Sequence, residues 1–254
     1  MISKNQIKQV KALHLKKFRD EEKLFIAEGI KVVNEIINTN PEIIHDLFVT
    51  ESYLQGNSNA LLNSKVEYTT VSEEDLKKIS TQSQPNNALA VCYYFEDTVQ
   101  ETDFNKTFSF YLDDIRDPGN LGTILRMADW FGIEEIFCSK QSTDLYNPKT
   151  IQAAMGAFLR VKVHYCDLYE IAKKDILVYG AVLNGENIYK TELKNGLIII
   201  GNEANGINEK NFKFITNPIT IPSATSSDTE SLNAAMATSI ICSEFFRQSL
   251  NPKS

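Results

Sequence analysis

The sequence predicts a two-part α/β protein: a small N-terminal α/β domain, then a larger, mostly parallel α/β domain. Three observations predict it. Short apolar runs alternate with stretches of helical periodicity in both halves, the pattern of strands joined by crossover helices. Residues 197–201 (LIIIG) are almost continuously apolar, which suits a parallel strand covered on both faces. Residues 96–106 (EDTVQETDFNK) are polar and acidic, with no apolar face to bury. The expected division is therefore residues 1–96, a linker at 97–106, and residues 107–254.

Residues 4–39 read as helical with a break near 19–23. Within them Ile30, Val33, Ile36 and Ile37 recur at helical spacing. Strands are expected at 43–50, 66–71 and 88–95, and a helix at 53–62. Ser72 followed by Asp75 marks a further helix start. The second series has strands at 108–115, 133–139, 161–165, 176–183, 197–201 and 219–221, separated by helical segments. Residues 231–250 read as a strong helix. There Leu232, Ala235, Met236, Ser239, Ile240 and Ser243 form a narrow stripe rich in small residues, suited to close packing on the sheet or on a partner subunit.

The bulk numbers exclude several classes. Of 254 residues 43% are hydrophobic and 23% charged, enough apolar material for a real core. No apolar run nears the ~20 residues of a membrane span, and MISKNQIKQVKALHLKK lacks a signal-peptide core, so a cytoplasmic location is expected. The four cysteines are scattered without a C-x-x-C pair, and the three histidines are isolated. Neither a zinc site nor a disulfide framework is indicated. The net charge is −7, yet residues 1–19 hold Lys4, Lys8, Lys11, Lys16, Lys17 and Arg19 and no acid. Lys4, Lys8 and Lys11 fall on one helical face, either a solvated surface or a phosphate-contacting stripe.

Three loops follow strands of the second half, where open α/β sheets bind ligands. In residues 113–133 (DDIRDPGNLGTILRMADWFGI), Asn120 can cap a helix whose Ile124, Ala128 and Phe131 face the core and whose Arg126 faces elsewhere. In residues 197–208 (LIIIGNEANGIN), Gly201 and Gly206 bracket Asn202 and Glu203; such glycines permit close backbone approach. In residues 219–236 (ITIPSATSSDTESLNAAM), Ser231 is a candidate helix N-cap before Leu232 and Asn233. Dinucleotide and P-loop glycine motifs are missing.

In this order and spacing, DPGNLGTILR, GNEANG and IPSATSSDTESLN resemble the three motifs of the SpoU/TrmH family of RNA 2′-O-ribose methyltransferases, within the SPOUT superfamily. FIAEGIKVVNEII and QPNNALAVC resemble the opening and closing of the substrate-binding domain many members carry, with Asn87 near a position often held by glycine. The third motif is about two residues longer than usual and adds Asp228 and Glu230. The resemblance implies a trefoil-knotted sheet, an N-terminal RNA-binding domain, a homodimer, S-adenosylmethionine as cofactor, and no metal. It also implies an RNA substrate, ribosomal rather than transfer RNA. It places the donor against Gly201, Ile221 and Leu232, with Asn184, at a strand end, as a further candidate. Arg126 matches the family's catalytic arginine. A guanidinium keeps its proton at neutral pH, so its implied part is to grip a phosphate and stabilise charge on the 2′-oxygen. Asn120 and Glu203 would hold Arg126 and the ribose, while Ser231 and Asn233 would shape the pocket. A transfer-RNA enzyme, a base methyltransferase and a non-catalytic RNA-binding protein that kept the fold are the alternatives.

Overall fold

The structure is a computed structural model and describes residues 2–96, 102–172, 175–224 and 231–250. It divides into two compact units: residues 1–97 with 144–159, and residues 98–143 with 160–254.

The first unit opens with α1 (Lys4–Ala12), started by a capping box in which Ser3 and Gln6 exchange hydrogen bonds. α2 (Lys16–Glu22) stops at Lys23, whose φ of 56° is left-handed. The break expected near 19–23 is found there, but the helical reading of the residues just after it fails: residues 24–28 form a strand, β1 (Leu24–Glu28). Phe25, Ile26 and Ala27 are all buried, so this strand is covered on both faces and shows no alternation. Gly29, with φ of 97°, turns the chain into α3 (Ile30–Thr39), which buries Val32, Val33, Ile36 and Ile37. There follow β2 (Ile44–Val49), α4 (Glu51–Ser64), β3 (Thr69–Thr70), α5 (Glu73–Ile79) and β4 (Ala88–Tyr93). Of the strand expected over 66–71, only two residues pair. Ser72 caps α5 by accepting from Asp75 N, as its spacing predicts. The sheet order is β1-β4-β2-β3, with β4 antiparallel to both neighbours. Asn87 enters β4 with φ of 58°, the left-handed region that favours glycine and tolerates asparagine. Its carbonyl and side-chain oxygens both accept from Thr50, at 3.0 and 3.1 Å.

The second unit holds β5 (Phe108–Leu112), α6 (Pro118–Trp130), β6 (Glu135–Cys138) and, after α7 (Pro148–Ala154) of the first unit, β7 (Lys162–Tyr165). α8 (Leu168–Ile171), β8 (Val178–Asn187), β9 (Gly196–Ile200), β10 (Asn217–Thr220) and α9 (Ala234–Leu250) complete it. Its six strands lie in the order β10-β8-β9-β5-β6-β7 and every pairing is parallel. All five residues of β9 are buried, as LIIIG predicts. α6 and α9 pack on each other.

Residues 144–159 belong with the first unit. Tyr146 stacks on Tyr94 at 3.6 Å, and Phe158 meets Phe25 edge-on at 5.9 Å. Arg19, only 2% exposed, donates from Nη1 to the carbonyls of Leu13 and His14, both at 3.0 Å. Its Nη2 donates to both carboxylate oxygens of Asp144 at 3.3 and 3.2 Å. Arg19 is therefore an internal tie rather than part of the basic surface, whereas Lys4, Lys8 and Lys11 are exposed on α1.

Cys92, Cys138 and Cys242 are buried, Cys166 is half-buried, and all four are free. Burial pushes the Cys166 thiol up to about 11 and that of Cys242 to about 12, so neither is a ready nucleophile at neutral pH. Among the described residues no helix is long and apolar enough to cross a membrane.

Candidate active site

Because the six strands are parallel, their carboxyl ends share one edge of the sheet, and the three motif loops leave from it. The first follows β5. Asp113 is buried and accepts from Asn208 N at 2.7 Å and Asn211 Nδ2 at 2.9 Å, fastening this loop to the 3-10 helix Glu209–Phe214. Asp117 caps α6 and Pro118 is its first residue, contrary to the expected cap at Asn120. Asn120 sits one turn in, donates its backbone N–H to Asp117 at 2.8 Å, and so keeps its amide free for other partners. Ile124 and Ala128 are fully buried, while Phe131 is only half-buried and meets Phe246 of α9 at 5.3 Å.

The second loop follows β9. Asn202 and Gly206 pair their backbones at 3.0 and 2.8 Å in a tight antiparallel turn. Asn202 Oδ1 accepts from Ala204 N and Asn205 N, and its Nδ2 donates to the Asp114 carbonyl at 2.9 Å. A Cβ on Gly201 would overlap the Gly206 carbonyl and the Ile207 nitrogen, so only glycine fits there. Gly201→Ala is expected to spread this turn and cost about 1–3 kcal/mol of stability, measured by denaturant unfolding against wild type.

The third loop follows β10. Ile221 is half-buried and Leu232 is 41% exposed. Asp228, Glu230 and the extra loop length lie outside the described residues. Asn233, not Ser231, caps α9: its Oδ1 accepts from Ala235 N at 3.0 Å and Met236 N at 3.3 Å. Ser231 is exposed two residues earlier.

Three of the expected polar residues meet. Asn120 Nδ2 donates to Glu203 Oε1, and Asn120 Oδ1 accepts from Asn233 Nδ2 at 2.9 Å. One amide thus joins all three loops. Arg126 stands on the exposed side of α6 and, among the described residues, has no hydrogen-bond or ion-pair partner. Neither Asn120 nor Glu203 bonds to it. Asn184 is exposed inside β8 rather than at a strand end. There β10 advances from Pro218 to Ile219 while its partner on β8 jumps from Gly180 to Glu186. Sequence reasoning missed Asp113, Asp117, Asn202 and Asn211, which hold the loops rather than line them. The Asp-Pro step was a legible cap signal for Asp117; for buried Asp113 and Asn211 no local signal existed.

Comparison with known proteins agrees with this geometry. Residues 107–243 match the SpoU rRNA Methylase family, and residues 4–90 match the MRM3-like substrate binding domain. The 23S rRNA (guanosine(2553)-2'-O)-methyltransferase RlmP of Bacillus subtilis is 27% identical, over 94% of this chain and 95% of its own. The solved structure of a TrmH-family RNA methyltransferase from Porphyromonas gingivalis is 35% identical. It superposes with a TM-score of 0.84 over 98% of this chain and 99% of that one. AviRb of Streptomyces viridochromogenes, solved in complex with AdoMet, shares the fold at 20% identity, with a TM-score of 0.84 over 99% and 100% of the two chains. Fold, strand-end loops and relatives together define an RNA methyltransferase. The chain belongs to the SpoU rRNA methylase family.

Proposed function

We propose that the protein methylates a ribose 2′-hydroxyl in ribosomal RNA, with S-adenosylmethionine as donor. The observation that carries this reading is the Asn233–Asn120–Glu203 chain, which ties the three motif loops at one sheet edge. Gly201, Ile221 and Leu232 lead from those same loops. Backbone at Gly201 with no side chain between, beside partly exposed apolar Ile221 and Leu232, fits an adenine edge and a thioether arm without burying charge. Bound there, the donor would supply an electrophilic methyl on a sulfonium.

The protein's own residues do the rest. Glu203, fixed by Asn120, and Asn233 offer polar atoms to orient the ribose so that its 2′-oxygen approaches in line. Ser231, at the start of the same segment as Asn233, shapes the pocket rim. Among the described residues Arg126 has no partner for its guanidinium donors, which can bridge an adjacent phosphate and the 2′-oxygen as that oxygen gains charge.

Residues 1–96 serve as the RNA-binding domain, with Lys4, Lys8 and Lys11 exposed to meet phosphates. A homodimer belongs to the same proposal. The stripe on α9 does not turn to the sheet: apart from buried Ala235 it is exposed or half-buried, Met236 among the exposed, and Phe246 and Leu250 continue it. Trp130, 84% exposed on α6, extends that apolar face, which a second copy would cover. A trefoil-knotted path through β8 to α9 and a cytoplasmic location, where free cysteines stay reduced, complete the reading.

The test is methylation of ribosomal RNA from a strain lacking the gene, followed by nuclease digestion and mass analysis. The expected product is a single 2′-O-methyl nucleotide. A methyl on a base, methylation of transfer RNA alone, or no binding of S-adenosylmethionine by calorimetry would each overturn the proposal.

A further inference from the structure

Residues of the first two motif loops and the helix Glu209–Phe214 border an open cavity of about 600 Å³. That is within the span of small-molecule sites, about 300–1,000 Å³. Asp114, Arg116, Asn205, Glu209 and Phe212 line it. None of them has a part in the reaction as described above.

The lining is held in place. Asp114 has φ of 59°, donates its N–H to Ser139 Oγ at 2.9 Å, and accepts at its carbonyl from Asn202. Its carboxylate accepts from Arg116 Nε at 2.9 Å, which orients the guanidinium. The terminal nitrogens of Arg116 have no partner among the described residues, and the side chain is 70% exposed. Phe212 is 51% exposed on a helix that is fastened firmly. Asn208 caps that helix, Asn211 reaches buried Asp113, and Phe214 packs against the core of this unit. The ring is thus displayed by a rigid support, not by a loose one.

The charges choose among occupants. Two carboxylates, Asp114 and Glu209, line the cavity with one guanidinium, so it disfavours a phosphate. A neutral planar group with a face to stack and an amino edge to donate suits it. RNA supplies that group when a base is splayed from its stack, and proteins read such bases by stacking on aromatic rings and arginine planes. Arg116 is one residue before the Asp117 cap, and Asn202 adjoins Glu203, so the cavity borders the reacting ribose.

We propose that this cavity receives the nucleobase of an unstacked RNA nucleotide at or next to the methylated ribose, stacked on Phe212 with its amino edge toward Glu209. The inference rests on the ribose-methylation reading and adds how the nucleotide is chosen. The test compares wild type, Phe212→Ala and Phe212→Trp in the full chain, on ribosomal RNA from a strain lacking the gene, with labelled S-adenosylmethionine. Base stacking is worth about 1–3 kcal/mol per ring. Phe212→Ala should therefore raise KM for RNA roughly tenfold, leave donor affinity by calorimetry unchanged, and regain the lost step as Phe212→Trp. Wild-type kinetics in Phe212→Ala, donor affinity lost together with RNA affinity, or no rescue by tryptophan would each overturn it. If wild type transfers no methyl to ribose, the underlying reading fails and takes the inference with it. If wild type transfers normally and Phe212 is indifferent, the cavity assignment alone fails.

Discussion

Arg126→Ala is expected to lower methyl transfer by about 100- to 1,000-fold, the usual cost of losing one donor aimed at developing charge. S-adenosylmethionine binding should hold, because the proposed donor contacts Gly201, Ile221 and Leu232 lie outside α6, and among the described residues Arg126 bonds to none of them. Folding should hold too: Arg126 is exposed, without partners among the described residues, in a helix where alanine is the better former. The loss should fall on kcat more than on KM, since in the proposed role the arginine acts most strongly on an oxygen that gains charge only in the transition state. Arg126→Lys keeps the charge but not the planar fork, so it should recover only part of the rate. Single-turnover transfer measured beside donor calorimetry checks all of this. A variant with near-normal rate would remove Arg126 from the chemistry.

Arg126 has no partner among the described residues, whereas the other polar candidates of the site are bonded to one another. Asn120, Glu203 and Asn233 are bonded to one another, which fixes three loops, and none of them carries a positive charge to hold a phosphate. On the proposed reading labour is divided: the amide–carboxylate chain sets the shape of the site, and the guanidinium on α6, without a partner among the described residues, supplies the charge. The expectation that Asn120 and Glu203 would also hold Arg126 put both tasks on the same residues.

Much of this was legible along the chain, and what was not has a physical reason. The central strands of the second sheet were readable because they are short apolar runs, most plainly the fully buried β9. The helix starts were readable in kind but not always in place. Asp117-Pro118 and Asn233 cap where Asn120 and Ser231 were expected, since several capping residues crowd each loop and only the backbone path decides among them. β1 was hidden because its buried run Phe25–Ile26–Ala27 leads within a few residues into the apolar face of α3, and a strand buried on both faces shows no alternation. The meeting of three loops depends on β10, β9 and β5 sharing one edge, which is a matter of strand order rather than of local pattern. Nor could any spacing show that residues 144–159 rejoin the first unit.

That return is held by Arg19 and Asp144, 125 positions apart, and it sets the largest expected loss of stability. Arg19→Met should destabilise the first unit by about 3–5 kcal/mol, the range for removing one partner of a buried ion pair. Three acceptors lose their donor at once: the carbonyls of Leu13 and His14, and the Asp144 carboxylate, whose side chain is only 16% exposed. Methionine fills much of the volume, so the loss reports the missing hydrogen bonds and charge more than a cavity. Arg19→Met with Asp144→Leu should recover part of it, because an apolar pair no longer leaves a stranded carboxylate. The two carbonyls would still lack a donor, so recovery should be incomplete. Denaturant unfolding of the wild type, the single variant and the double variant reads each step. Were Arg19→Met to cost less than about 1 kcal/mol, the level of an exposed pair, the tie between α2 and the returning segment would be a surface contact and not the clasp that its burial and four hydrogen bonds describe.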